Sequence, residues 1–249
     1  MIALIPVAGY ATRLYPLTQD KPKALLEIGK KPMIEHVFKK IAGLDGIERV
    51  VIVSNHHFFS RFQEWTAGFQ PKTKIPIVVL DDGTSSNENR LGAIGDAQFA
   101  IEKAGIDSSM VWVSGDNLFT FSLHEIQKEF ESKKTDIIAC FDVKSMEETR
   151  KMSEVALDSK QRVVHFIEKP KNPSCTLVSI GVYFYTPETV RLFKTYLEEG
   201  NSPDKPGEFV QWLYKKKPVY GFVFDKPEDE WFDIGSLDVL KAVQKRFEH

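Results

Sequence analysis

With 249 residues, 42% of them hydrophobic and 12% aromatic, the chain can bury a sizeable core as one large domain or two small ones. Its 33 Lys and Arg against 35 Asp and Glu leave a net charge of -2, which argues against bulk nucleic-acid binding because that partner demands a basic excess. No apolar run reaches the roughly twenty residues that span a bilayer, and Cys140 and Cys175 make neither a metal nor a redox spacing.

The first element is the apolar run Ile2 to Val7, which reads as a buried central strand. It feeds Ala8-Gly9-Tyr10-Ala11-Thr12-Arg13, where small residues let a ligand approach backbone N–H groups. Arg13 and Lys23 add full positive charge, so the loop suits phosphates. On the residues alone, a Gly turn with two surface basic residues is the competing reading. Neither the Walker pattern nor the complete dinucleotide fingerprint is present, since Leu14 stands where a third glycine belongs.

Residues 32–43 carry Met33, Ile34, Val37, Phe38 and Ile41 at helical spacing. A strand over 49–53, a helix over 58–67, a strand over 75–80, a helix over 95–104 and a strand over 110–114 follow. Such alternation predicts parallel pairing, with ligands at the strands' C-terminal ends. Beyond residue 135 the runs 135–143, 154–157, 162–167 and 178–185 are strand-like with little helix between them, which favours mixed or antiparallel pairing. Helices are expected over 187–198 and 208–216, a loop over 199–207 and a strand over 219–224. A last helix, capped by Ser236, should run to the C-terminus.

One carboxylate stands at a chemically useful place. Asp116, in Ser114-Gly115-Asp116-Asn117 after a strand, is placed to bind a divalent ion shared with phosphate oxygens; as a lone motif it reads more readily as a plain turn. Asp233 lies in Trp231-Phe232-Asp233-Ile234-Gly235-Ser236.

Together these blocks, with Glu168-Lys169-Pro170 and Ser179-Ile180-Gly181, resemble the sugar-1-phosphate nucleotidyltransferases, the glucose-1-phosphate thymidylyl- and uridylyltransferases among them. The resemblance implies an α/β, Rossmann-like fold: a mixed, mainly parallel central sheet flanked by helices, in the GT-A-like nucleotidyltransferase architecture. A single domain over 1–249 is expected, with 1–120 mainly binding nucleotide and 121–249 mainly acceptor. The implied activity is magnesium-dependent transfer of a nucleotidyl group from an NTP, dTTP or UTP, to a sugar 1-phosphate. By the same resemblance Ala8, Gly9, Tyr10, Ala11, Thr12, Arg13, Asn87, Gly92 and Asp116 bind nucleotide. Lys23, Asn117, Ser153, Glu168, Lys169, Gly181 and Trp231 bind the acceptor, and Asp116 and Asp233 hold Mg²⁺. Arg13, Lys23 and Asp116 are the catalytic group.

Three departures stand out: Ala11 replaces the family's second glycine, Asn87 stands at its Gln position, and Ser153 replaces a glycine near the acceptor. A cytidylyltransferase acting on a phosphorylated alcohol such as phosphocholine is therefore an alternative. A metal-dependent glycosyltransferase would be expected to show Asp-x-Asp rather than Gly115-Asp116-Asn117, and an inactive regulatory homologue would be expected to have lost Asp116, Asp233 or Arg13. The start, Met1-Ile2-Ala3, lacks the charged segment of a secretory leader, so a cytoplasmic protein without nucleic-acid or membrane partners is expected. Association into a homo-oligomer is left open.

Overall fold

The computed structural model describes residues 1–247. Strand β1 (Ile2–Pro6) leads through the basic loop to a short hairpin of β2 (Glu27–Ile28) and β3 (Lys31–Pro32). Then come α1 (Met33–Ile41), β4 (Arg49–Ser54), α2 (His56–Phe69), β5 (Ile77–Asp81), α3 (Ala93–Ala104) and β6 (Met110–Val113). The second half runs β7 (Asn117–Phe119), α4 (His124–Lys133), β8 (Asp136–Asp142), α5 (Met146–Lys151), β9 (Ser153–Leu157), β10 (Val163–Glu168) and β11 (Leu177–Tyr185). It ends with α6 (Pro187–Glu198), α7 (Pro206–Lys216), β12 (Val219–Phe224), β13 (Trp231–Asp233) and α8 (Leu237–Arg246).

Seven strands form the central sheet in the order β12-β8-β11-β6-β1-β4-β5. β1 pairs in parallel with β4 and β6, β4 with β5, and β8 with β12, while β11 runs antiparallel between β6 and β8. The mainly parallel sheet of the first half is thus as expected. The mixed pairing expected of the second half is also found: β11 runs antiparallel, β9 and β10 form a separate antiparallel pair, and β12 joins β8 in parallel.

The period of two along each strand assigns side chains to two cores. Ala3 and Ile5 of β1 join Val50 and Ile52 of β4 on one face, under α1, α2 and α4 with Ile34, Phe38, Phe62 and Phe130. Ile2 and Leu4 join Val51 and Val53 on the other, under α3, α6 and α7 with Ala97, Phe193 and Phe209. With both faces covered, the strands must be continuously apolar, and each large buried side chain contributes about 1.5–3 kcal/mol.

Helix α4 is absent from the sequence reading. Its buried apolar residues, Ile126 and Phe130, are a single i, i+4 pair in a charged segment, too thin a stripe to register as a period. Helix α3 starts at Ala93, two residues earlier than expected, because Gly92 at φ 80° turns the chain into it. Ser236 caps α8, its hydroxyl accepting the Val239 N–H at 3.3 Å; the expected run to the C-terminus includes residues 248–249, which lie outside the described residues.

A third, smaller core fixes the site. Leu14 from the basic loop, Leu26 and Ile28 from the hairpin region, Leu118 from β7, Ile234, and Leu240 and Val243 of α8 pack together. The C-terminal helix therefore clamps the loop that follows β1.

Candidate active site

Buried polar contacts shape the basic loop. Asn55 caps α2 by accepting the Phe58 N–H at 2.9 Å, and its amide donates to the Ala8 carbonyl at 2.7 Å. Thr18 donates to the Ala11 carbonyl at 2.9 Å. Ala11 itself is left-handed, at φ 47° and ψ 42°, just before the tight turn Thr12–Leu14. This explains the glycine that the resemblance expects there, since a Cβ in that conformation costs roughly 1–2 kcal/mol.

Beside the loop lies a cavity of about 330 Å³ lined by Ala8, Gly9, Ala11, Arg13 and Lys23, by Gly92, Ala93 and Asp96 at the start of α3, and by Asp116. A second, of about 170 Å³, is lined by Ser153, Glu168, Gly181, Trp231 and Asp233. Both are bordered by Ser114, Asp116 and Pro206. Two chambers therefore meet at one carboxylate.

Lys23 donates to Asp116 Oδ2 across 2.8 Å. Burial works against charge on Asp116, but the Lys23 ammonium, with Arg13 behind it, outweighs burial and holds the carboxyl below its ordinary range. Asp233 is brought alongside by the β7–β13 ribbon, where it pairs with Asn117. Burial, and then the Asp116 charge, push Asp233 up. Among the described residues no group of three or more His, Cys, Asp and Glu could hold a metal. Two carboxylates held together between phosphate-sized chambers fit magnesium, which takes one or two protein carboxylates and fills its other positions with phosphate and water.

In the second chamber Gly181 sits in an irregularity of β11, at φ 68°, where the pairing with β8 shifts between Ser179 and Tyr183. A Cβ there would lie 2.7 Å from Ser114 Oγ and 3.0 Å from Asn117 Nδ2. Gly181→Ala is therefore expected to cost roughly 2–5 kcal/mol, the left-handed penalty plus overpacking. A denaturant titration checks this; a variant as stable as wild type would mean that β11 relaxes freely at this point. Glu168 lies against the first turn of α7, where any side chain at Gly207 would overlap its carboxylate. Burial pushes Glu168 up to about 7, against the pull of Lys205 and Lys169.

Most expected site residues line these chambers, but several lie outside them or have their side chains engaged elsewhere. Tyr10 is buried against Phe58 and donates to the Thr84 carbonyl at 3.3 Å, so its side chain anchors the loop from behind. Thr12 is exposed on the turn and lines neither chamber. Asn87 is also exposed and outside the first chamber; its carbonyl accepts from Arg90 at 2.8 Å, and Arg90 and Gly92 reach the wall in its place. Asn117 borders the second chamber, yet its amide is committed, donating to the Ile180 carbonyl and accepting from Trp231 Nε1 at 3.2 Å. Lys169 is exposed at φ 51°, its N–H donating to the Met152 carbonyl at 2.6 Å; Lys151 lines the chamber instead. Ser153 is placed as expected, its hydroxyl accepting the Ser179 N–H at 3.0 Å. Asp96 escaped the sequence reading, because an acidic residue in a first helical turn is ordinary.

A doubly wound sheet with a basic loop after its first strand, and carboxylates on two further segments converging beside it, defines an α/β protein built to handle phosphates. A family model described as Nucleotidyl transferase matches residues 2–249, and the chain belongs to that family of enzymes. It is 27% identical over 187 residues to the UTP–glucose-1-phosphate uridylyltransferase AglF of Haloferax volcanii, covering 75% of this chain and 72% of that protein. To the bifunctional protein GlmU of Methanocaldococcus jannaschii it is 28% identical over 97% of its own length, but it spans only 53% of that relative. Among solved structures, a Bacillus anthracis chain assigned as a glucose-1-phosphate thymidylyltransferase, in complex with a sucrose, superposes with a TM-score of 0.84 at 19% identity, covering 100% of this chain and 96% of that one. That likeness bears out the fold. Among the described residues no helix is long and apolar enough to cross a membrane.

Proposed function

We propose that the protein transfers a nucleotidyl group from UTP or dTTP to a sugar 1-phosphate with magnesium, releasing pyrophosphate. One observation carries this reading: the two chambers meet at Asp116, with Lys23 on it and Asp233 alongside. The triphosphate takes the first chamber against the basic loop, and the acceptor takes the second. An oxygen of the acceptor phosphate forms a new bond to the α-phosphorus as the α–β bridging bond breaks, and the electron pair leaves with pyrophosphate. No general base is required, because a phosphate monoester is already largely ionised at neutral pH.

Catalysis is then alignment and electrostatics. Lys23 holds a reacting phosphate and Arg13 answers the charge that builds on the leaving pyrophosphate. Asp116 and Asp233 would hold magnesium, which when bound supplies positive charge to the phosphate oxygens. Glu168 accepts from sugar hydroxyls, and Gly181 leaves room for the ring. Ser153 narrows that chamber relative to a glycine.

Pyrophosphate release over a panel of nucleotides and acceptors tests the reading. Turnover with UTP or dTTP and a sugar 1-phosphate is expected; turnover confined to CTP with phosphocholine would replace it with the phosphorylated-alcohol reading, and none at all would refute it.

Glu168 makes acceptor use depend on pH. With its carboxyl at about 7 it is mainly protonated at the acid side and mainly ionised at the alkaline side. Moving from pH 8 to pH 6 should lower the ionised fraction, and raise the acceptor's apparent KM, by about tenfold for a simple titration. The acceptor phosphate also titrates near pH 6, so the diagnostic is Glu168→Gln, which should flatten the Glu168 part of the profile. Identical profiles for the two proteins would remove Glu168 from acceptor binding.

A further inference from the structure

Asp96 lines the first chamber from the first turn of α3, yet it is only 5% exposed and its Oδ1 has no hydrogen-bond partner. Its one acidic neighbour within hydrogen-bond reach is Asp82, just after β5. Asp82 is already engaged: the Thr84 N–H donates to one of its oxygens at 2.6 Å and the Thr84 hydroxyl to the other at 3.0 Å. Two adjoining carboxyls, one buried and one half-buried, cannot both ionise cheaply. Asp82 holds the charge because Thr84 satisfies it, so the proton resides on Asp96, which donates to Asp82. In agreement, burial and then the Asp82 charge push Asp96 up to about 8.

Arg13, Lys23 and Asp116 claim the phosphate end of this chamber, which leaves the Gly92–Asp96 side for the nucleoside. Gly92 can carry no side chain, since a Cβ would lie 2.5 Å from the Pro203 carbonyl oxygen, and so the wall there is backbone between the side chains of Arg90 and Asp96. A chamber wall that ends in a buried carboxyl with a spare acceptor demands an N–H or O–H from its ligand.

We infer that the Asp82–Asp96 pair is a specificity-determining element for the base: Asp96 donates its proton to Asp82, and its remaining carboxyl oxygen accepts the N3–H of uracil or thymine. The inference rests on the UTP or dTTP reading above. It gives the base contact expected of Asn87 to a pair from two other segments.

The test compares kcat/KM for UTP and for 3-methyl-UTP, in which a methyl replaces that hydrogen, with glucose 1-phosphate as acceptor. Wild type should prefer UTP by about a hundredfold or more, since a buried acceptor is left unpaired and the methyl crowds it. Asp96→Ala should shrink the preference at least about tenfold. Asp96→Asn, whose amide donates to Asp82 and presents a carbonyl oxygen, should hold it within about threefold of wild type. An Asp96→Ala protein with the wild-type ratio, even if slower with both nucleotides, would overturn the inference and leave Asp96 a packing residue. A changed ratio between UTP and 2′-deoxy-UTP with no change toward 3-methyl-UTP would overturn it in favour of a ribose contact. A wild-type enzyme that uses no pyrimidine triphosphate would refute this inference and the nucleotide reading together, whereas the first two outcomes leave that reading standing.

Discussion

Asp116→Asn and Asp233→Asn are each expected to lower turnover by about two to three orders of magnitude, the loss typical when a preorganised electrostatic contact to a reacting group is removed. Both changes keep volume and remove the charge that would hold a divalent ion. Their stabilities should move in opposite directions, and this separates a lost ligand from a damaged fold. Asp116 carries a lowered carboxyl pKa, so its ionised form favours the folded state above the unfolded pKa and that benefit disappears as pH falls through the folded value. At neutral pH its replacement also strands Lys23, and the melting temperature should fall. Asp233 is raised by burial and by Asp116, so its ionised form disfavours the folded state at neutral pH. Replacing it relieves that cost, and the metal-free protein should melt no lower than wild type while being nearly inactive. Pyrophosphate assays and thermal melts in chelator decide this. Retention of more than about a tenth of the activity by either variant would exclude that residue as a metal ligand.

For Arg13→Ala the expected result is a fall in kcat of about a hundred- to a thousandfold, with little change in the acceptor's KM. The guanidinium is exposed, and its nitrogens stand 3.6 and 3.9 Å from where a side chain at Gly235 would begin, a point 3.7 Å from Asp233 Oδ2. It therefore reaches the carboxylate side of the site, not only the loop. Charge that grows between ground and transition state is worth most to the group that meets it, so the loss should appear in turnover. Lys151, at the acceptor wall and paired with Glu148 at 2.7 Å, provides the contrast. Alanine there should mainly raise the acceptor's KM. Exchanged signatures between Arg13 and Lys151 would reverse the donor and acceptor chambers.

What the sequence determined by itself was the frame and its chemical endpoints. The run Ile2–Pro6 reads as a strand covered on both faces, and the small residues after it read as a loop that a ligand could approach, with a plain Gly turn as the competing reading. Arg13 and Asp116 stand on short, locally decided features, a loop after a strand and a turn after a strand, but their roles, and the choice of Asp233, came from the resemblance of the ordered blocks to the nucleotidyltransferases. Which side chains face the chambers was decided only by the tertiary structure. Spacing along the chain placed Asn87 at the base and Lys169 at the acceptor, but a turn turns the first outward, and a left-handed backbone at φ 51° accompanies the exposed position of the second. Lys151 and Asp96 occupy chamber walls because α5 and α3 pack where they do, and Asp82 meets Asp96 because the end of β5 lies beside the start of α3. Period and motif fix where a backbone goes over a few residues. The direction of a side chain, and the partner that sets its proton, follow from packing between segments far apart in sequence, and no local pattern carries that information.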